Sequence, residues 1–100
     1  MAKVQVDKDT LRKIEQKILR PVSEIFDSVD DIVPYLRKKM IQGVDFNDLH
    51  ERLLKADREM EEFITRVVDD ITYYPNEHRV YIFKIKVDSK TYYVVSSVFS

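Results

Sequence analysis

The sequence predicts an α+β fold in which N-terminal helices and one long amphipathic helix pack with a C-terminal antiparallel β-hairpin or small sheet. Two observations support this prediction. Apolar residues recur at helical spacing through residues 7–69, and from Ile71 the sequence changes to alternating β-branched and aromatic residues. The chain has 100 residues, of which 44% are hydrophobic, so it can bury one core. We therefore expect a single domain over residues 1–100.

The N-terminal third predicts a short strand followed by a helix. Val4 to Val6 alternates apolar and polar residues, and Asp7 is placed to cap a helix. The apolar stripe of that helix is Leu11, Ile14 and Ile18. Pro21 lacks an amide hydrogen and restricts the residue before it, so we expect the helix to end there.

A second helix is expected after a short apolar segment that carries Val22, Ile25, Phe26 and Val29. Ser28 is placed as its N-cap, and acidic residues follow in the first turn. The residues expected to point inward are Ile32, Val33, Leu36, Met40 and Ile41. Pro34 interrupts this pattern, and Gly43, the only glycine, suits the position just after the helix.

The long helix is predicted from Phe46 to about Asp69, with Asp45 as its N-cap. Its apolar positions follow steps of three and four residues, which is a heptad pattern. They are Phe46, Leu49, Leu53, Ala56, Met60, Phe63 and Val67. A helix of about 24 residues is about 36 Å long, whereas a compact domain of this size has a radius of gyration of about 13 Å. The rest of the chain can cover such a helix only with difficulty, so we expect its apolar seam to contact a partner surface.

The C-terminal third predicts a hairpin. Residues 73–78 are typical of an extended piece and a turn. Arg79 to Val87 alternates apolar residues with Lys84 and Lys86, Asp88 to Lys90 suits a turn, and Thr91 to Phe99 returns as the second strand. A two-stranded sheet alone is marginal in stability. We therefore expect a homodimer, formed through the helix seam or by joining two hairpins.

Charge and composition limit the function only weakly. The net charge is −1, which argues neither for nor against nucleic acid. Acidic residues exceed basic ones, nine to four, in residues 43–70, while both flanking parts are mildly basic. The absence of cysteine excludes disulfides and thiolate chemistry. The sequence lacks a signal peptide and any apolar run long enough to cross a bilayer, so we expect a soluble, cytoplasmic protein without a membrane partner.

Candidate chemical sites are sparse. His50 and His78 lack the spacing of metal ligands, and Asp69-Asp70 is a carboxylate pair without further ligands. A metal-dependent nuclease built on Asp70, Glu77, Lys84 and Lys86 lacks the strand motif such enzymes need. Five of six tyrosines lie in residues 73–93 near basic residues, which suits either sheet packing or stacking on single-stranded nucleic acid. We therefore expect no catalytic residue, no metal and no cofactor.

The N-terminal stretch resembles ribbon-helix-helix DNA-binding proteins. The matching features are the ribbon-like Val4-Gln5-Val6-Asp7, the helix opening Thr10 to Glu15, and the segment Phe26 to Val33 followed by Leu36 to Lys39. The resemblance covers less than half the chain. It implies a dimer in which Lys3 and Gln5 meet bases and Ser28 meets a phosphate. The long connection through Pro21 and the nearby aspartates depart from the family pattern, and those aspartates repel phosphates.

Three hypotheses follow, in order. The first is a non-enzymatic binding protein, homodimeric or bound to another protein, with an interface formed by Phe46, Leu49, Leu53, Met60, Phe63 and Val67. The second is a DNA-binding regulator, and the third is a small metal-dependent nuclease. The single glycine, the few amides and the many charges are also typical of thermophiles. The Cys-free, Tyr-rich composition resembles that of small proteins of archaeal viruses.

Overall fold

The computed structural model describes residues 4–39, 44–68 and 79–98. The helices are α1 (Lys8–Ile18), α2 (Ile32–Lys39) and α3 (Phe46–Glu59), and a 3₁₀ turn at Val29–Asp31 precedes α2. The strands are β1 (Glu24–Phe26), β2 (Phe63–Val68), β3 (Arg79–Val87) and β4 (Lys90–Val98). They form one antiparallel four-stranded sheet in the order β1-β4-β3-β2. The predicted α+β class is confirmed.

Helix α1 matches its prediction closely. The Asp7 side chain accepts a hydrogen bond from the Thr10 amide, and Ile14 and Ile18 are buried. The helix ends at Leu19, which adopts a left-handed conformation (φ 58°) and is 84% exposed. Residues 4–6 are not a strand, which corrects the prediction. The Val4 amide donates to the Ile25 carbonyl at 3.0 Å, so this segment lies beside β1.

The chain between α1 and α2 contributes a strand to the sheet. Glu24–Phe26 pairs with β4, and Ile25 and Phe26 point to opposite faces, each into a core. Ser28 accepts a hydrogen bond from the Asp30 amide and so caps the 3₁₀ turn. Pro34 lies in the first turn of α2, where its missing amide hydrogen costs little. Met40, Ile41 and Gly43 lie outside the described residues.

The predicted long helix is wrong in its second half. Helix α3 begins at Phe46 and is capped by Asp45, as predicted, but it ends at Glu59 after 14 residues, or about 21 Å. Met60 is already extended, and the chain continues as β2. The three-heptad seam is therefore divided between a helix and a strand. The carboxylates Asp69 and Asp70 and the expected turn at residues 73–78 lie outside the described residues.

The C-terminal hairpin is confirmed. Strands β3 and β4 pair from Arg79–Val98 to Val87–Lys90, and Asp88 and Ser89 form the connecting turn. Both turn residues have positive φ, 52° and 68°. This is the conformation that a two-residue hairpin turn with the natural strand twist requires.

The sheet is covered on both faces, which explains why so much of it is buried. Helix α1 covers one face; the buried residues there are Ile14, Ile18, Ile25, Phe83, Ile85, Val87, Tyr92 and Val94. Helices α2 and α3 cover the other face. Its buried residues are Phe26, Val29, Ile32, Val33, Tyr35, Leu36, Leu49, Leu53, Val67, Val80, Ile82, Tyr93 and Val95.

None of the helices in the described ranges is long and apolar enough to span a membrane.

Candidate functional site

The six residues predicted to form an interface do not share one surface. Leu49, Leu53 and Val67 are buried in the chain's own core, with 0%, 1% and 2% exposure. Phe46 and Phe63 are partly buried and pack against the same cluster. Met60 is 51% exposed. The face of α3 that was expected to bind a partner is therefore largely occupied by the sheet.

A polar cluster holds the end of α3 against the sheet. Lys84 projects from β3 and donates to the carbonyls of Asp57 and Met60 at 3.0 and 2.9 Å. Its ammonium also lies 2.8 Å from Asp57 Oδ1. The Tyr93 hydroxyl donates to the same oxygen at 2.6 Å. The three hydrogens of the ammonium thus have three acceptors, and its charge complements the negative end of the helix dipole.

The cluster shifts the acid–base properties of two of its members. Burial opposes ionisation of Asp57, but the hydrogen bonds from Lys84 and Tyr93 and the charge of Lys84 outweigh it and lower the pKa. Burial, then the hydrogen bond to Asp57 and the negative charge of that carboxylate, raise the pKa of Tyr93. Asp57 is therefore held ionised and Tyr93 neutral, which suits a structural role.

A second polar cluster joins α1 to the start of β2. Lys17 Nζ lies 2.6 Å from Glu62 Oε2 and donates to the Lys86 carbonyl at 2.7 Å. The Lys86 amide donates to the same Glu62 oxygen at 3.1 Å. The hydrogen bond from Lys17, followed by the one from Lys86, lowers the pKa of Glu62. This cluster links three elements at the surface.

His50 lies in a groove between α3 and the start of α2. The groove has a volume of about 230 Å³ and is lined by Asp30, Val33, Pro34, Arg37, Asn47 and His50. His50 Nε2 is 3.8 Å from Asp30 Oδ1. His50 Nδ1 is buried and has no hydrogen-bond partner within the described ranges. One ring nitrogen of His50 is therefore enclosed, although its side chain as a whole is 35% exposed.

The structure does not bring the residues of the DNA-binding hypothesis together on one described surface. Lys3 lies outside the described residues, Gln5 is exposed, and the Ser28 hydroxyl is engaged in its cap. Of the expected stacking residues, Tyr92 and Tyr93 are buried. The ring of Tyr81 is covered by the Arg20 guanidinium at 3.8 Å. DNA binding remains a prediction.

The residues of the nuclease hypothesis are only partly described. Asp70 and Glu77 lie outside the described residues, and Lys84 is fully engaged in holding α3. Within residues 4–39, 44–68 and 79–98, no three His, Asp or Glu side chains converge as metal ligands.

Among the sheet residues whose side chains the structure describes, Ile64 at the outer edge of β2 is the most exposed large apolar residue. Ile64 is 60% exposed on the α1 side, and Met60 lies just before the strand. Of the residues that the structure describes, none pairs with the edge of β2 that faces away from β3. Sequence reasoning missed this edge because it assigned residues 60–68 to a helix.

Comparison of the chain with protein-family models, with curated proteins and with solved structures finds no match.

Proposed function

We propose that this chain is a non-enzymatic interaction protein that acts as a homodimer. The observation that supports it best is the contrast between the two edges of the sheet. The β1 edge is covered by the N-terminal segment through the bond from Val4 to Ile25. The β2 edge exposes Ile64, and the described residues leave it unpaired. An exposed, regular edge strand without proline is a template for pairing with another strand.

The polar clusters support the non-enzymatic part of the proposal. The ammonium of Lys84 is saturated by three acceptors, and the Tyr93 hydroxyl is bound to Asp57. Groups that act as general acids or bases must reach a substrate proton. These groups instead contact each other and the end of a helix, which favours a structural role.

Sedimentation velocity or light scattering over a wide range of protein concentration tests the homodimer. We expect the mass of two chains at high concentration and dissociation on dilution. A mass of one chain at every concentration would overturn the proposal.

A DNA-binding regulator is the second candidate, and the exposed position of Gln5 favours it. Phosphate contacts make DNA binding fall steeply with salt. Duplex binding should then be salt-dependent and weakened in Lys3→Ala and Gln5→Ala. Binding that is unchanged in both variants would remove these residues from consideration.

A further inference from the structure

The geometry of the β3–β4 turn determines which backbone groups of β2 face outward. A two-residue turn is flanked by a hydrogen-bonded pair, here Val87 and Lys90. Hydrogen-bonded pairs then recur at every second residue, so the odd-numbered residues of β3 bond to β4 and the even-numbered ones face β2. The Lys86 amide, which donates to the Glu62 carboxylate, agrees with this assignment.

The same alternation continues into β2. Phe63, Thr65 and Val67 lie opposite Lys84, Ile82 and Val80. Their amides and carbonyls therefore bond to β3, whereas those of Ile64 and Arg66 point to the outer edge. The exposed side chain of Ile64 and the outward backbone groups thus belong to the same residue.

The occupant that best fits this edge is a second copy of β2, because the strand is complementary to itself in one antiparallel register. If Ile64 lies on the two-fold axis, it faces Ile64 of the second copy. Arg66 then lies opposite Glu62 of the second copy, and the reverse pair forms by symmetry. Opposite charges directly across two strands are stabilising.

Neighbouring registers are less favourable. Placing Arg66 on the axis brings two arginines together, and like charges directly opposite are destabilising. Placing Thr65 on the axis sets Ile64 against Arg66 and leaves Glu62 without a cation across the interface. When Ile64 lies on the axis, the second carboxylate oxygen of Glu62 can accept a hydrogen bond from Arg66 of the second copy. The contacts of Glu62 with Lys17 and with the Lys86 amide are both made by Oε2.

We infer that two copies join edge to edge through antiparallel β2 strands, with Ile64 on the two-fold axis and Arg66 paired with Glu62 of the second copy. This inference rests on the proposed homodimer and specifies its interface. The two four-stranded sheets then form one continuous sheet, which covers Ile64 and satisfies the outward backbone groups of both strands.

The cysteine-free sequence allows a direct test with Ile64→Cys. Opposite residues of a hydrogen-bonded antiparallel pair have Cα atoms about 5.5 Å apart, which a disulfide can bridge. We expect this variant to form a covalent dimer under mild oxidation. Leu19→Cys, which places a thiol at an 84% exposed site at the end of α1 and not on the paired strand, is the control and should remain largely uncrosslinked.

Reversing the charge of Arg66 tests the register without touching the core. In Arg66→Glu the new carboxylate faces Glu62 of the second copy. We therefore expect the dissociation constant of the dimer to rise about tenfold or more. Arg12→Glu reverses another exposed arginine, on α1, and should leave dimerisation unchanged.

The outcomes separate the two proposals. A monomeric wild type would overturn the homodimer itself. A dimeric wild type in which Ile64→Cys crosslinks no better than Leu19→Cys, and in which Arg66→Glu has no effect, would retain the homodimer and overturn this interface.

Discussion

Lys84 of β3 binds Asp57 at the end of α3, with 2.8 Å between Nζ and Oδ1. This contact explains where the helix ends. Residues 60–67 continue a helical apolar pattern, and neither glycine nor proline stops it. Residues 63–68 pair with β3 instead, and a lysine of that strand binds the carbonyls of Asp57 and Met60 and holds them against the sheet. A tertiary contact thus overrides the local preference.

Replacing this lysine should destabilise the protein markedly. Lys84→Met keeps most of the apolar stem but removes the donors to three acceptors in a site where the lysine side chain is 12% exposed. Hydrogen bonds to charged groups contribute about 1.5–3 kcal/mol each. Because removing the ammonium also removes the cost of burying its charge, we expect a net loss of about 2–3 kcal/mol in the free energy of unfolding.

Urea denaturation checks this value. Lys86→Met is the matched control, because Lys86 lies on the same strand, is 44% exposed and pairs with the exposed Glu61. It should change stability by less than about 0.5 kcal/mol. Equal effects of the two substitutions would contradict the role assigned to Lys84.

The lowered pKa of Asp57 makes its contribution depend on pH. Its stabilising effect is fully present above the unfolded-state pKa of about 3.9 and is lost as the pH falls through the lower folded-state value. We expect Asp57→Asn to be less stable than wild type at pH 7, and the difference to shrink below about pH 4. Thermal unfolding at several pH values measures it, and a difference that is constant down to acid pH would contradict it.

The raised pKa of Tyr93 predicts a loss of stability at alkaline pH, whereas Asp57 predicts one at acid pH. The folded state keeps this phenol neutral, so its contribution is present below the unfolded-state pKa of about 10 and is lost as the pH rises towards the folded-state value. Because Tyr93 stays neutral in the folded protein, raising the pH should produce the same increase in tyrosinate absorbance in wild type and in Tyr93→Phe as long as both are folded. A larger change in the folded wild type near pH 10 would show that Tyr93 ionises normally.

The hairpin turn offers a stabilising substitution. Ser89 has a φ of 68°, which costs a residue with a Cβ atom about 1–2 kcal/mol and costs glycine little. Ser89→Gly should therefore raise the free energy of unfolding by about 0.5–1 kcal/mol, net of the added chain entropy. Lys90→Gly, the first residue of β4, should destabilise instead. Chemical denaturation of both variants compares them, and a loss of stability in Ser89→Gly would contradict the turn geometry.

Local signals allowed the N-caps and the hairpin to be predicted. Asp7 and Asp45 each accept a hydrogen bond from the residue three positions later, and the alternation in Arg79–Val87 is that of a real strand. These features depend on neighbouring residues only. Strand β1 was missed because a three-residue strand is too short for its alternation to be recognised, and its pairing partner lies in β4.

The interface that we propose lies on β2, whereas the sequence predicted one along a single face of a long helix. Phe63 and Val67 fit a helical spacing of four residues, and they also fit the two-residue period of a strand in which both face the core. Sequence spacing alone does not separate these cases. On a helix Ile64 would be an apolar residue outside the heptad pattern, whereas in β2 it lies on the exposed edge. Lys84 lies on the same side of β3 as the buried residues Val80 and Ile82. A lysine in such a row was the one sequence signal that pointed to a buried polar partner.

The hydrogen bond from the Ser97 amide to Ser23 Oγ joins residues 74 positions apart and closes β1 onto β4. Because β4 lies between β1 and β3 in the sheet, β1 has no strand to pair with before β4 is present, whereas β3 can already pair with β2. Contacts between such distant residues make folding slow, since the entropy of closing the chain is lost before the contact forms. During synthesis, we therefore expect β1 to join the sheet only after β4 has left the ribosome.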